Sequence, residues 1–365
     1  MKLPKLTIKN FSLDTCIIQG GMGVGVSLHQ LAGAVSREGG LGTISSAGLR
    51  TIVSIRDKKV VDTREAVGIE IKKAQELSHG RPIAINVMCA LRADYETTIR
   101  AAIDAKVSAI ICGAGMPTDL PGIQNPGDTA LIPIVSSARA LEIILGRWKK
   151  FHYLPDAVIV EGPKAGGHLG FKMDEIDNPD FALEKILPPV LEVARKNGNI
   201  PVIPAGGIYN HQGGVKFLTM GASGFQMGTR FLATNESAAT DFYKQAVISA
   251  GVDDIMVVGP PSVFPASPCG LPFRLLKTSP MYKNGHEIKC DKRYVLQRGP
   301  DGNFSTCQAM PGSANCKSFL CICNGLLASA GYAPGEPPLY TVGTNAYRIN
   351  KILPVADLMH ELCHE

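Results

Sequence analysis

The chain has 365 residues, 45% hydrophobic and 19% charged, with a formal charge of +5; these proportions suit a globular protein that buries a sizeable core. Its basic residues are scattered, so the charge gives no reason to expect a nucleic-acid partner. No apolar run is long enough to cross a bilayer, and the N-terminus MKLPKLTIKNFSL lacks the apolar centre of a secretory signal, so a cytoplasmic protein with no membrane partner is expected.

Short apolar runs recur along the chain with helical spacers between them. Strands are expected at 15–20 (TCIIQG), 41–46 (LGTISS), 82–88 (PIAINVM), 109–115 (AIICGAG), 131–137 (LIPIVSS), 157–162 (AVIVEG), 201–207 (PVIPAGG) and 224–231 (GFQMGTRF). Continuously apolar strands are buried on both faces, which implies a parallel sheet covered by helices. Helices fill 28–39, 64–78 and 180–198, the last ending in Asn-Gly, a helix stop. The connection from 115 to 131 carries too much Pro and Gly for a regular helix. Eight βα units over about 250 residues match a (β/α)8 TIM barrel, with its site at the C-terminal strand ends. A doubly wound open sheet is the alternative. Against it, GGMGVG (20–25) does not run as a clean G-x-G-x-x-G into a helix with an acid about 20 residues on. Gly, Ser or Asn instead marks nearly every strand end, as eight loops meeting at one mouth require. The barrel is assigned to 1–250. Proline becomes frequent at 257–273, cysteines follow, and a helical pattern returns at 345–363. Residues 251–365 are therefore expected to form a Cys-rich appendage, a lid packed on the barrel.

The segment EGPKAGGHLG (161–170) carries the strongest functional content. It places Glu161 and a single histidine, His168, on the loop leaving a buried strand, with small residues between them. Small residues let a flat or phosphorylated ligand approach the backbone, and a histidine exchanges protons near neutral pH. AGGI (205–208) and QMGTRF (226–231) end the seventh and eighth strands, where many barrels hold a phosphate. Gly206, Gly207 and Gly228 permit close approach there, and Thr229 offers a hydroxyl.

Taken together, QGGM (19–22), IAINVM (83–88), EGPKAGGHLG, PAGGI (204–208) and QMGTRFLATNES (226–237) resemble the nitronate monooxygenase, or 2-nitropropane dioxygenase, family. The FMN-dependent enoyl-acyl-carrier-protein reductases of type II share that superfamily. The resemblance runs in order over about residues 10–240 and implies an FMN-binding TIM barrel. It implies that Gly21 and Met22 lie against the flavin ring and that Asn86 contacts the cofactor. Gly166 and Gly167 would let the flavin pass close to the backbone, while Gly206, Gly207 and the run Gln226, Met227, Gly228 and Thr229 would hold the phosphate. Glu161 stands where nitronate monooxygenases often have glutamine and enoyl reductases have glutamate.

His168 is the expected catalytic residue. For a nitronate substrate it would remove a proton next to the nitro group or orient the anion, giving a carbonyl compound and nitrite. For an enoyl thioester, with NAD(P)H as donor and acyl carrier protein as a partner, it would protonate or polarise the substrate. A flavin-binding electron-transfer module without a small substrate is a third reading. The loop 113–121 and the insertion GRWKKFHYLPD (146–156) are distinctive beside either branch. Cys290, Cys307, Cys316, Cys321 and Cys323 supply enough thiolates for an iron–sulfur cluster or a zinc centre, although their spacing matches no standard motif. Reduced cysteines packed in a lid are the plain alternative. Cys16, Cys89 and Cys112 read as small buried hydrophobes.

Overall fold

The computed structural model describes residues 2–259, 267, 271–284, 297–298, 304–306 and 320–364. Eight parallel strands form one sheet: β1 (Ile17–Gln19), β2 (Gly42–Ser45), β3 (Ile83–Met88), β4 (Ala109–Gly113), β5 (Ala130–Val135), β6 (Val158–Glu161), β7 (Val202–Ala205) and β8 (Phe225–Met227). Their order is β1-β8-β7-β6-β5-β4-β3-β2. The two end strands meet at a parallel bridge between Ile18 and Leu41, where Gln19 N–H donates to Leu41 O at 2.9 Å and Leu41 N–H to Ile17 O at 3.0 Å. The sheet is thus a closed (β/α)8 barrel with no free edge, and the doubly wound alternative falls. Buried Gln19 reinforces this seam from its side chain. Its Oε1 accepts from Thr43 N at 2.9 Å, and its Nε2 donates to Ser27 Oγ at 2.9 Å.

Every residue of β2, β4 and β7 is buried, because the barrel interior takes one face and the helices take the other. The eight strands fall on the eight segments expected from sequence. Helices His29–Arg37, Thr63–Leu77, Tyr95–Asp104, Ala138–Trp148, Leu183–Lys196 and His211–Thr219 fill the spacers. Thr63–Leu77 starts where the Asp62 carboxylate accepts from Glu65 N at 2.7 Å, satisfying one of the donors a helix start leaves open. β2 lies directly on the backbone of helix His29–Arg37: a Cβ on Gly42 would sit 1.8 Å from Ala32 O.

Three features depart from the sequence expectations. A hairpin, Leu6–Ile8 with Phe11–Leu13, precedes the barrel. Its turn residue Lys9 donates to Thr129 O and to the Tyr153 hydroxyl, both at 2.9 Å, and that hydroxyl donates to Asp156 Oδ2 at 2.7 Å. The insertion 146–156 is therefore tied to the N-terminal end of the barrel, away from the mouth. The connection 115–131 holds no regular helix, as expected, only the single turn Leu120–Ile123. At the C-terminus helix is confined to the 3-10 turn Ala346–Arg348 and to Val355–His364, since Pro354 has no N–H with which to continue a helix from before it. Finally, strand Phe273–Leu276 pairs antiparallel with Ile255–Val258 on one side and with Gly167–His168 on the other. No helix among the described residues is long and apolar enough to cross a membrane.

Candidate active site

A cavity of about 1090 Å³ opens at the C-terminal ends of the strands, and each of the eight strands, or the loop that leaves it, sends residues to it. Gly21, Met22, Asn86, Glu161, Gly166, Gly167, His168, Gly206, Gly207, Gln226, Met227, Gly228 and Thr229 all border this one space. They come from five strand ends that are up to 208 residues apart in the chain, between Gly21 and Thr229.

Each position follows from its strand. Glu161 closes β6, in register with Ala205 of β7, so its carboxyl stands over the mouth beside the β7 loop. It is half-buried and borders the cavity. Burial pushes its pKa up to about 7, with the nearby His168 pulling in the opposite direction. Asn86 in β3 donates from Nδ2 to Ile111 O at 3.4 Å, which orients its amide. Gly206 and Gly207 turn the chain with φ of +97° and +80°, a conformation that favours glycine. At the end of β8, Gln226 keeps its Oε1 buried without a hydrogen-bond partner. Such an atom costs free energy unless something else fills the site.

His168 lies in a two-residue strand opposite Phe273, with the rings edge to face at a centroid distance of 4.8 Å. This strand partner was not expected from sequence; it comes from the proline-rich segment, where no apolar alternation announces it. A second group without a sequence counterpart is the run 341–345. Gly343 N–H donates to Thr229 Oγ1 at 2.9 Å, Thr344 N–H to Lys164 O at 3.2 Å and Asn345 Nδ2 to Gly207 O at 2.5 Å. These residues hold the glycine loops through two backbone N–H groups and one side-chain amide, which leave little side-chain pattern to read.

Of the five cysteines considered as metal ligands, Cys290, Cys307 and Cys316 lie outside the described residues. Cys321 is buried, Cys323 is half-buried, and both border the cavity. Among the described residues no three His, Cys, Asp or Glu side chains come together as a metal site. Cys16, Cys89 and Cys112 are buried, as expected.

Comparison with known proteins agrees with this geometry. The sequence pattern of the nitronate monooxygenase family matches residues 5–365. A probable nitronate monooxygenase of Bacillus subtilis (strain 168) is 27% identical over 264 residues, covering 68% of this chain and 74% of the relative. A (3aS,4S,5R,7aS)-5-hydroxy-7a-methyl-1-oxo-octahydro-1H-indene-4-carboxyl-CoA dehydrogenase of Mycobacterium tuberculosis is 28% identical over 278 residues, covering 76% and 67%. Among solved structures, FabK from Thermotoga maritima superposes with a TM-score of 0.68 at 24% identity, covering 96% of this chain and 92% of its own. The match reaches across barrel, mouth and C-terminal segments alike, and the chain belongs to the nitronate monooxygenase family of oxidoreductases.

Proposed function

We propose that the protein is an FMN-dependent oxidoreductase that converts an alkyl nitronate to a carbonyl compound and nitrite, with His168 as the residue that acts on the substrate. The observation carrying this reading is the convergence on one cavity of the thirteen residues expected from sequence for catalysis and flavin binding, in a chain matched by the family pattern over 5–365. FMN, when bound, supplies the redox chemistry.

The residues present fit such a cofactor. The unpartnered Oε1 of Gln226 offers an acceptor to a ring N–H. The Thr229 hydroxyl already accepts from Gly343 N–H, so its own proton is left to donate to a phosphate oxygen. Gly206, Gly207 and Gly228 border the same end of the cavity, with Lys164 nearby as a positive charge. His168 borders the same cavity, where its imidazole holds the oxygens of the nitronate, or takes the α-proton when the parent nitroalkane binds instead; dioxygen is the oxidant and the source of the carbonyl oxygen. Glu161, whose pKa burial raises to about 7, is about half protonated near pH 7 and so carries less than a full negative charge toward that anion. The described residues of the C-terminal segment we read as a cover of the mouth, since Phe273, Ile322, Leu326, Thr341 and Asn345 all border the cavity.

Glu161 also favours a second reading, an enoyl-thioester reductase fed by NAD(P)H, with acyl carrier protein as a partner. A neutral carboxyl is a proton donor, which a reduction needs at the substrate carbon and a nitronate oxidation does not. Steady-state assays separate the two. The first reading expects nitrite release from an alkyl nitronate in air without NAD(P)H. Turnover of an enoyl thioester only with NAD(P)H, and none of nitronate, would replace it by the second.

A further inference from the structure

The loop that carries Glu161 and His168 has no regular structure between residues 162 and 166. Its backbone carbonyls must find partners away from any sheet or helix. Arg274 provides them. Its guanidinium is 3% exposed, and its Nη1 donates to Pro163 O at 2.7 Å and also to Ala165 O. The backbone of the same strand pairs Arg274 with Gly167 and Phe273 with His168, and Leu169 N–H donates to Pro272 O at 2.8 Å. Three consecutive residues, 272 to 274, thus hold the loop on both sides of His168, and the Phe273 ring sits edge-on against its imidazole.

Burying a guanidinium is expensive, and an apolar side chain would fill the same volume at less cost. What the apolar residue lacks is a charged donor, here the single nitrogen Nη1, that serves two carbonyls at once. Burial draws the Arg274 pKa down to about 10, which still leaves it charged at neutral pH. Its charge-assisted bonds go to main-chain carbonyls of one loop, the loop that presents the reacting imidazole.

We propose that Arg274 is the positioning residue for His168: its buried guanidinium fixes the carbonyls of Pro163 and Ala165, and so sets where the imidazole stands in the cavity. The role rests on the reading of His168 as the group that acts on the substrate. Misplacing a reacting group by about 1 Å costs on the order of 100-fold in rate.

The test is a double-mutant cycle on the flavin-loaded protein, combining Arg274→Met with His168→Ala, read together with the imidazole resonance of His168. Arg274→Met is expected to keep its flavin and lower kcat about 10- to 100-fold with KM little changed. In the His168→Ala background the same change is expected to cost less than about two-fold, because a displaced imidazole no longer matters. Arg274→Lys, which keeps a charged donor on a shorter stem, should recover part of the loss. Equal losses in both backgrounds, or wild-type kcat in Arg274→Met, overturn the proposal. Should Arg274→Met fail to fold, the cycle is run with Arg274→Lys under the same criteria. Should His168→Ala itself turn over normally, the reading of His168 has failed, and NMR decides the positioning role alone. The His168 resonance, identified by its loss in His168→Ala, is expected to shift or broaden in the Arg274 variant. An unchanged resonance overturns the proposal.

Discussion

At the scale of single residues the account turns on His168 and Glu161, which share a loop and border one cavity but differ in how they are held. His168→Ala removes the imidazole and leaves the glycine loops at β7 and β8 untouched. The variant is expected to retain its flavin and lose about 10²- to 10⁴-fold in kcat; absorbance spectra and initial rates check both halves. Glu161 predicts a pH effect whose sign follows from its burial. The unfolded chain gives up this proton near the ordinary 4.5, whereas the folded protein holds it to about 7. Between those values the folded state binds more protons than the unfolded, so stability falls as pH rises and stays lower above 7. Glu161 accounts for at most about 3 kcal/mol of that fall. Glu161→Gln should flatten the decline, and urea midpoints of the two proteins at pH 5 and pH 8 measure it. Both residues are legible in the sequence, because an acid and a histidine separated by small residues after an apolar run have few other uses. Arg274 is not legible. It sits in GLPFRLL among prolines, and only the folded chain shows that its bonds end on the carbonyls of Pro163 and Ala165.

At the scale of elements, the barrel strands can be read from the chain because burial on both faces leaves them no polar alternation. The hairpin Leu6–Ile8 with Phe11–Leu13 escapes, since strands of three residues are too short to show a period. The same holds for Gly167–His168, which is a strand only because Phe273–Leu276 lies beside it. Close approach at the start of β2 predicts a large effect of a small change. A methyl group on Gly42 would overlap Ala32 O at 1.8 Å, and because backbone lies opposite, the strand or the helix must move. Gly42→Ala is expected to destabilise the fold by about 3 kcal/mol, near the upper end for overpacking, read as a lowered urea midpoint. The β7 loop predicts a different outcome. At Gly207, with φ of +80°, a Cβ would lie 2.8 Å from Lys164 Cβ. Gly207→Val should therefore distort the glycine loop and lower flavin occupancy, while the circular dichroism of the barrel stays close to wild type.

For the whole molecule, the bridge between Ile18 and Leu41 turns eight strands into a closed ring, and closure gathers loops distant in sequence around one cavity. That gathering makes a site from Gly21, Asn86, Glu161, His168, Gly207 and Gln226. It was foreseeable once eight βα units had been counted, because in this architecture loops after the strands share one mouth. How the glycine loops are held was less foreseeable: residues 343–345 engage them through two backbone N–H groups and one side-chain amide. Heat-released cofactor, identified by mass, is expected to be one FMN per chain; FAD or no flavin would remove the basis of the proposed chemistry. The central claim is most directly tested by mixing the flavin-loaded protein anaerobically with an alkyl nitronate, without NAD(P)H, and following the flavin absorbance. The account predicts rapid bleaching by the nitronate alone. Flavin that stays oxidised with nitronate and bleaches only on addition of NADH or NADPH would contradict it.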